Sequence, residues 1–298
     1  MEKLISVIMS TYNEPIDYLK ESIESILNQT YKNIEFLIII DNPENDELIK
    51  VIYEYAKKDT RIKVIENKEN LGLVKSLNKG LSFATGDIIA RMDADDISDR
   101  NRLKSQLSFI NKYEYDLVSS NYILFYSDNE VEEKTIFPET YEECKKKLRH
   151  TNCLPHPCWF GYKKVFDELK GYREIKACED YDFAIRAVCA GYKIGNCQEF
   201  LFKYRYNNKS ISRTNESFQF LVTKYIAKSF KNGYFVKYDD YKKFLNSEEF
   251  FKKKDKIDNM LLIKGLFKES SNICMKMYYL CRLITNYYFW ETKLIMFS

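Results

Sequence analysis

The stretch Ile88-Ile89-Ala90-Arg91-Met92-Asp93-Ala94-Asp95-Asp96 decides how this chain is read. An apolar run of strand character stops abruptly in three carboxylates within four residues. Carboxylates that close repel one another, and they persist in a fold where a cation neutralises them. An Asp-x-Asp at a strand end suits an octahedral Mg²⁺ or Mn²⁺ that takes a few protein oxygens and the rest from a diphosphate. A solvated acidic turn capping the next helix would use the same residues, so the stretch alone leaves both readings open.

Working outward, strand and helix signals alternate at short spacing through the first hundred residues. Residues 4–10 are apolar and β-branched and end in Thr11-Tyr12-Asn13-Glu14-Pro15. Residues 16–29 place Ile16, Leu19, Ile23, Ile26 and Leu27 at helical spacing. Residues 34–40 form a nearly continuous apolar strand that ends in Asp41-Asn42-Pro43, a turn signal. Residues 47–57 read as helix, 61–65 as strand, 73–84 as helix after Gly72, and 87–92 as strand. Continuous apolar strands separated by amphipathic helices predict an α/β fold with a parallel sheet covered on both faces. Ligands of such sheets bind beyond the carboxyl ends of the strands. Three polar clusters, Thr11-Tyr12-Asn13, Asp41-Asn42 and Asp93-Ala94-Asp95, all fall at such ends.

The middle is less regular: 115–125 reads as strand, 141–149 as a short helix and 180–190 as a helix. Residues 216–298 lose the alternation and read as helices rich in Lys, Tyr and Phe. The predicted organisation is therefore a catalytic domain over 1–215 and a helical, basic and aromatic extension over 216–298. That extension holds 15 Lys/Arg against 9 Asp/Glu, or +6 in a chain of +3, so residues 1–214 carry about −3.

Composition narrows the class. The 298 residues are 45% hydrophobic and 31% charged, as expected of a folded, soluble protein. Met1-Glu2-Lys3 leads into a short apolar run without a cleavage-site pattern, and no apolar window is long enough to span a bilayer. Eight cysteines without a Cys-x-x-Cys pair, beside only two histidines, argue against zinc and fit a reducing cytoplasm.

Taken in order, the motifs resemble those of the family 2 glycosyltransferases, inverting enzymes of GT-A fold that elongate bacterial surface polysaccharide, capsule and lipooligosaccharide. The resemblance covers roughly residues 4–212. It rests on Ser6-Val7-Ile8-Met9-Ser10-Thr11-Tyr12-Asn13-Glu14, Ser25-Ile26-Leu27-Asn28-Gln29-Thr30-Tyr31 and Glu35-Phe36-Leu37-Ile38-Ile39-Ile40-Asp41. Asn70-Leu71-Gly72, Leu77-Asn78-Lys79-Gly80 and Ala84-Thr85-Gly86-Asp87 follow, then Arg91 to Asp96 and Glu179-Asp180-Tyr181-Asp182 with Arg186. The resemblance implies a Rossmann-like, mostly parallel sheet with flanking helices.

It also implies roles. Ser10, Thr11 and Tyr12 take the place that holds the donor base, where a tyrosine ring can stack on uracil. The second-strand signature is usually Asp-Asp. Here it is Ile40-Asp41, so Asp41 matches the second, base-contacting acid and favours a UDP or dTDP donor. Asp95 matches the metal ligand, for Mn²⁺ or Mg²⁺, and Asp93 matches the ribose contact or a metal-bound water; Asp96 is expected to cap the following helix. Asp180 matches the general base that takes the acceptor hydroxyl's proton, beside Glu179. His156 lies in a His-Pro element and is either structural or an acceptor or phosphate contact. Arg173 and Arg205 either meet diphosphate oxygens or pair with nearby acids. Asn207 stands where many relatives have a histidine.

The implied partners are a nucleotide-sugar donor and a glycan or lipid-linked oligosaccharide acceptor, not nucleic acid. The extension, with Lys252-Lys253-Lys254 and an aromatic-rich segment over 272–290, suits either peripheral contact with the inner face of the cytoplasmic membrane or packing on the catalytic domain or a second subunit. A rival reading is a non-catalytic glycan- or nucleotide-sugar-binding protein on a degenerate GT-A fold, to which the missing acid at Ile40 lends something.

Overall fold

The sheet grows from four apolar runs whose alternate residues must be covered on both sides. In the computed structural model, which describes residues 2–126, 132–206 and 215–290, β1 (Ile5–Thr11), β2 (Ile34–Ile40), β3 (Ile62–Glu66) and β4 (Ile88–Asp93) are parallel in the order β3-β2-β1-β4. They are joined by α1 (Ile16–Leu27), α2 (Asp46–Lys58) and α3 (Leu73–Phe83). The side-chain period of two divides the strands between two cores. Ile5, Val7, Met9, Phe36, Ile38, Ile40, Ile88, Ala90 and Met92 face α1, α2 and α4 (Arg102–Tyr113). Ile8, Leu37, Ile39 and Ile89 face α3, α6 (Lys163–Glu168) and α7 (Glu179–Cys189). Each fully buried Ile or Leu contributes about 1.5–3 kcal/mol, and every residue of β2 is buried. Gly80 lets α3 lie close on the sheet: a Cβ there would stand 2.6 Å from Ile8 Cγ2 and 2.8 Å from Ile39 Cδ1.

Beyond β4 the sheet becomes mixed. β8 (Phe160–Tyr162) runs antiparallel to β4 and to β6 (Leu117–Phe125), and β9 (Ile194–Arg205) runs parallel to β6. The two-residue β5 (Ile97–Ser98) closes the edge on β9, and β7 (Glu132–Thr135) pairs antiparallel with β6. The first seven predicted elements appear within a residue or two of their expected bounds, as do β6, α5 (Tyr141–Lys147) and α7. The sequence reading lacked α4, β5, β7, β8, α6 and β9.

The C-terminal part is helical: α8 (Glu216–Lys231), α9 (Tyr238–Leu245), α10 (Glu248–Glu269) and α11 (Ile273–Ile284). Leu221, Val222, Ile226, Tyr241, Ile257, Met260 and Leu283 join the same apolar cluster as α7. The helices are thus packed against the side of the sheet that carries α7. Arg173, just before α7, fixes this docking by donating to Val236 O at 2.8 Å. Among the described residues no helix is long and apolar enough to cross a membrane.

Candidate active site

The ladder brings the predicted residues to one edge. Ser10 at the end of β1 is in register with Asp93 at the end of β4 and with Ile39 of β2, and Thr11 is in register with Ile40. Tyr12 follows the strand and is 44% exposed. The turn after it is held by Glu14, whose Oε2 accepts from Thr11 Oγ1 at 2.6 Å and from the Tyr12 amide at 2.8 Å. Burial raises the proton affinity of the Glu14 carboxyl and Asp93 adds repulsion, while these hydrogen bonds oppose both.

Asp41 is buried beneath the same edge. Its Oδ1 accepts from Asn67 Nδ2 at 2.7 Å and the Leu71 amide at 2.8 Å, and its Oδ2 accepts from the Gly72 amide at 2.9 Å. Three of about four acceptor positions of the carboxylate therefore brace the turn that starts α3, where Gly72 needs a φ of 82°.

Around the Asp-x-Asp the charges crowd. Asp93 Oδ1 pairs with Arg91 Nη2 at 2.6 Å. The Asp95 carboxyl is pushed up to about 7 by burial, then by Asp93 and Glu14, with Arg205 offsetting part. Asp96 does not cap a helix, contrary to expectation. β5 intervenes, Asn101 precedes α4, and Asp96 turns inward to accept from the Arg205 amide at 2.7 Å while its Oδ2 has no partner. Burial and the two neighbouring acids raise it well above the usual carboxylate range. Arg205 is itself engaged: Nε donates to Asp95 O at 2.8 Å, Nη2 pairs with Glu21 at 2.5 Å, and the guanidinium lies 3.8 Å from the Tyr18 ring centroid. Of its two expected roles, it takes the acid-pairing one and clamps the loop. Arg173 likewise pairs with Asp182, a buried carboxylate that also receives Arg186 Nε at 2.9 Å.

Asp180 sits in the first turn of α7, partly buried. Its Oδ2 accepts from Asn152 Nδ2 at 2.8 Å and its Oδ1 from the Tyr181 amide at 2.7 Å. Burial raises its proton affinity, with these bonds and the charge of Arg91 pulling the other way. Glu179 is raised too, by burial and then by Asp180. Arg91 is the link between the two groups of acids: it holds Asp93 and its charge acts on Glu179 and Asp180, yet its Nε and Nη1 are buried without partners. His156 is packed between the rings of Trp159 and Tyr172 and bonds Tyr172 Oη at 3.0 Å. Burial, then Arg91, holds it well below the usual histidine range, so it is neutral. Asn207 lies outside the described residues.

Sequence reasoning gave no role to Arg91, Glu14 or Asn152. The first two stood inside quoted motifs, and a basic residue amid carboxylates was the available signal; Asn152 carried none. Among the described residues no three His, Cys, Asp or Glu side chains gather to hold a metal alone. The donor set nevertheless suits a hard divalent cation. Asp93 and Asp95 offer carboxylate oxygens at the end of β4, and a cation held by so few protein oxygens would take the rest of its shell from phosphate and water.

Comparison with known proteins gives the same picture. The sequence model described as Glycosyl transferase family 2 matches residues 6–170. An uncharacterized glycosyltransferase of Methanocaldococcus jannaschii is 42% identical over 209 residues, covering 69% of this chain and 72% of the relative. The Escherichia coli O-antigen biosynthesis glycosyltransferase WbnJ is 32% identical over 213 residues, covering 71% and 83%. Among solved structures, the mannosyltransferase PcManGT of Pyrobaculum calidifontis, in complex with GDP-Man and Mn²⁺, superposes with a TM-score of 0.62 at 15% identity, covering 96% of this chain and 81% of that one. S. aureus TarS 1–349 with UDP-GlcNAc gives 0.63 at 16% identity, covering 89% and 80%. At these identities the structures establish the GT-A fold.

Proposed function

The chain belongs to glycosyl transferase family 2, and from that premise we propose that it moves one sugar, with inversion, from a UDP-sugar to a hydroxyl of a growing surface glycan. The observation that carries the reading is the pairing of two acid groups through Arg91. Asp93 and Asp95 stand at the strand ends where a nucleoside diphosphate would lie, and Asp180 stands across Arg91 from them. Ser10, Thr11 and Tyr12 form the bed of the base. Asp41 fixes the loop beneath it and keeps one acceptor position for the imide N–H. Asp95, with Asp93, would hold Mn²⁺ or Mg²⁺, which when bound neutralises charge on the departing diphosphate.

Asp180 takes the proton of the acceptor hydroxyl as its oxygen attacks the anomeric carbon from the face opposite the diphosphate, giving a β linkage from an α-linked donor. Its raised proton affinity improves it as a base while Asn152 aims the carboxylate. The hexose or N-acetylhexosamine transferred is chosen by the surrounding loops. Arg205, Arg173 and His156 shape this site from behind, since their polar groups are already engaged within the protein.

Peripheral contact with the inner face of the membrane is assigned to α11 rather than to the lysine run. Lys252, Lys253 and Lys254 each pair one turn away with Glu248, Glu249 and Asp258. In contrast α11 exposes Ile273, Met277 and Tyr278 and carries Lys276 and Arg282 without an acid.

Asp180→Asn tests the function. Transfer should fall by about 10²-fold or more, while the metal-dependent thermal shift with UDP persists. A non-catalytic binding protein would show no transfer to lose. A wild-type protein that shifts with none of UDP, dTDP or GDP would refute the donor assignment.

A further inference from the structure

Asp180 also lines a cavity of about 260 Å³ whose other sides include α8 and α10. Phe220 on α8 and Ile257 and Leu261 on α10 supply apolar surface, while α8 also brings Gln219 and Thr223, and Asn152 and Asp180 are polar lining from the catalytic domain. At roughly 30 Å³ per water, such a space holds some nine waters, below the range of about 300–1,000 Å³ typical of drug-sized ligands. One sugar ring is the matching size. A pyranose has the matching chemistry: C–H faces for the aromatic and aliphatic side chains, hydroxyls for the polar ones among them.

The charge of the cavity narrows the ligand further. No lysine, arginine or histidine lines it, while Asp180 and Glu216 do. Lys224, outside the lining, stands 5.4 Å over the Phe220 ring. A phosphate group brought into this space would meet two carboxylates and no lining cation, a repulsion of unit charges at short range in a partly dry site. Resting on the reading of Asp180 as the base, we infer that this cavity is the acceptor subsite, that α8 and α10 form half of it, and that it takes the neutral terminal sugar of a glycan rather than a phosphorylated acceptor. The C-terminal helices are then part of the active site, and the acceptor hydroxyl reaches Asp180 from the side opposite the donor.

Saturation-transfer NMR on the full chain, with UDP and diamagnetic Mg²⁺ present, tests this with methyl glycosides of glucose, galactose, N-acetylglucosamine and rhamnose, and with glucose 1-phosphate. At least one neutral glycoside should receive saturation through its ring C–H face. Leu261→Trp, which fills the cavity from α10, and Phe220→Ala, which removes its aromatic wall, should each weaken that binding by about tenfold or more, roughly 1.4 kcal/mol. Glucose 1-phosphate should bind about tenfold more weakly than methyl glucoside. An unchanged thermal midpoint and UDP shift in either variant establishes that it is folded. Glycoside binding untouched by both substitutions, equal binding of the phosphate, or no glycoside bound would each overturn the inference. Glycoside binding that responds to both substitutions in a protein with no UDP shift would sink the transferase reading and leave the sugar site standing.

Discussion

Asp95→Asn should stabilise the ligand-free protein while destroying its donor complex, and the size of the gain follows from the crowding at the strand end. In the unfolded chain an aspartate titrates near 3.9, and in the folded one Asp95 is pushed up to about 7 by burial, Asp93 and Glu14. The folded state therefore holds a proton that the unfolded state has already released, and stability falls as pH rises from about 4 to 7. Above pH 7 the whole penalty is present. Three pK units at 1.36 kcal/mol each give an upper bound of about 4 kcal/mol, and water reaching this partly exposed carboxyl lowers it, so about 1–3 kcal/mol is expected. The neutral amide keeps the shape and removes the charge, and it relieves the neighbouring Asp96 as well. At about 2 °C per kcal/mol for a chain of this size, the midpoint at pH 8 should rise by about 2–6 °C. Below pH 4, where Asp95 is protonated in both states, the gain should vanish. Scanning calorimetry of both proteins at pH 4 and 8, with and without UDP and Mn²⁺, reads all of this, the metal-dependent shift being absent in the variant. A lower midpoint at pH 8, or an equal gain at both pH values, would refute the reasoning.

Arg91→Met removes the charge that lowers the proton affinity of Asp180 and Glu179, so the acid limb of the kcat/KM profile should move to higher pH; an unshifted limb would remove Arg91 from the active site. The variant leaves Asp93 without its partner, so its thermal midpoint should fall, and a cooperative unfolding transition establishes that it is folded. Gly80→Ala puts a methyl group against Ile8 and Ile39, and denaturant unfolding should show a loss of about 1–3 kcal/mol with donor affinity at saturating metal little changed.

The parts of the fold that could be read from the sequence are those where burial and period agree. β1, β2 and β4 are buried along nearly their whole length, and α1 and α3 keep their buried residues at helical spacing. α4 escaped because polar residues stand in its buried stripe: Arg102 and Gln106 are fully buried, donating to Arg91 O at 2.6 Å and Cys158 O at 2.8 Å. β9 escaped for a related reason. Its run is broken by Asn196, Gln198 and Glu199, and the pairing with β6 slips near Asn121, so neither period persists. The Asp-x-Asp and the Glu179-Asp180 pair were legible as motifs. The partner of Asp180 was not, because its hydrogen bond from Asn152 is one that only tertiary packing creates.

The engaged arginines show how the same packing divides labour among charges. Arg205 and Arg173 were candidates for diphosphate contact because guanidinium suits phosphate. One is spent on Glu21 and the Asp95 carbonyl, the other on Asp182 and the Val236 carbonyl. A buried carboxylate such as Asp182 is tolerable only with its partners in place, so Arg173 ties the start of α7, and with it Asp180, to the segment that precedes α9. The placement of Asp180, the proposed base, therefore depends on the docking of the C-terminal helices. Arg91 differs from both in carrying unpartnered nitrogens at the centre of the acids. Buried donors normally find acceptors, and under the proposed function a diphosphate oxygen would be the partner this guanidinium lacks.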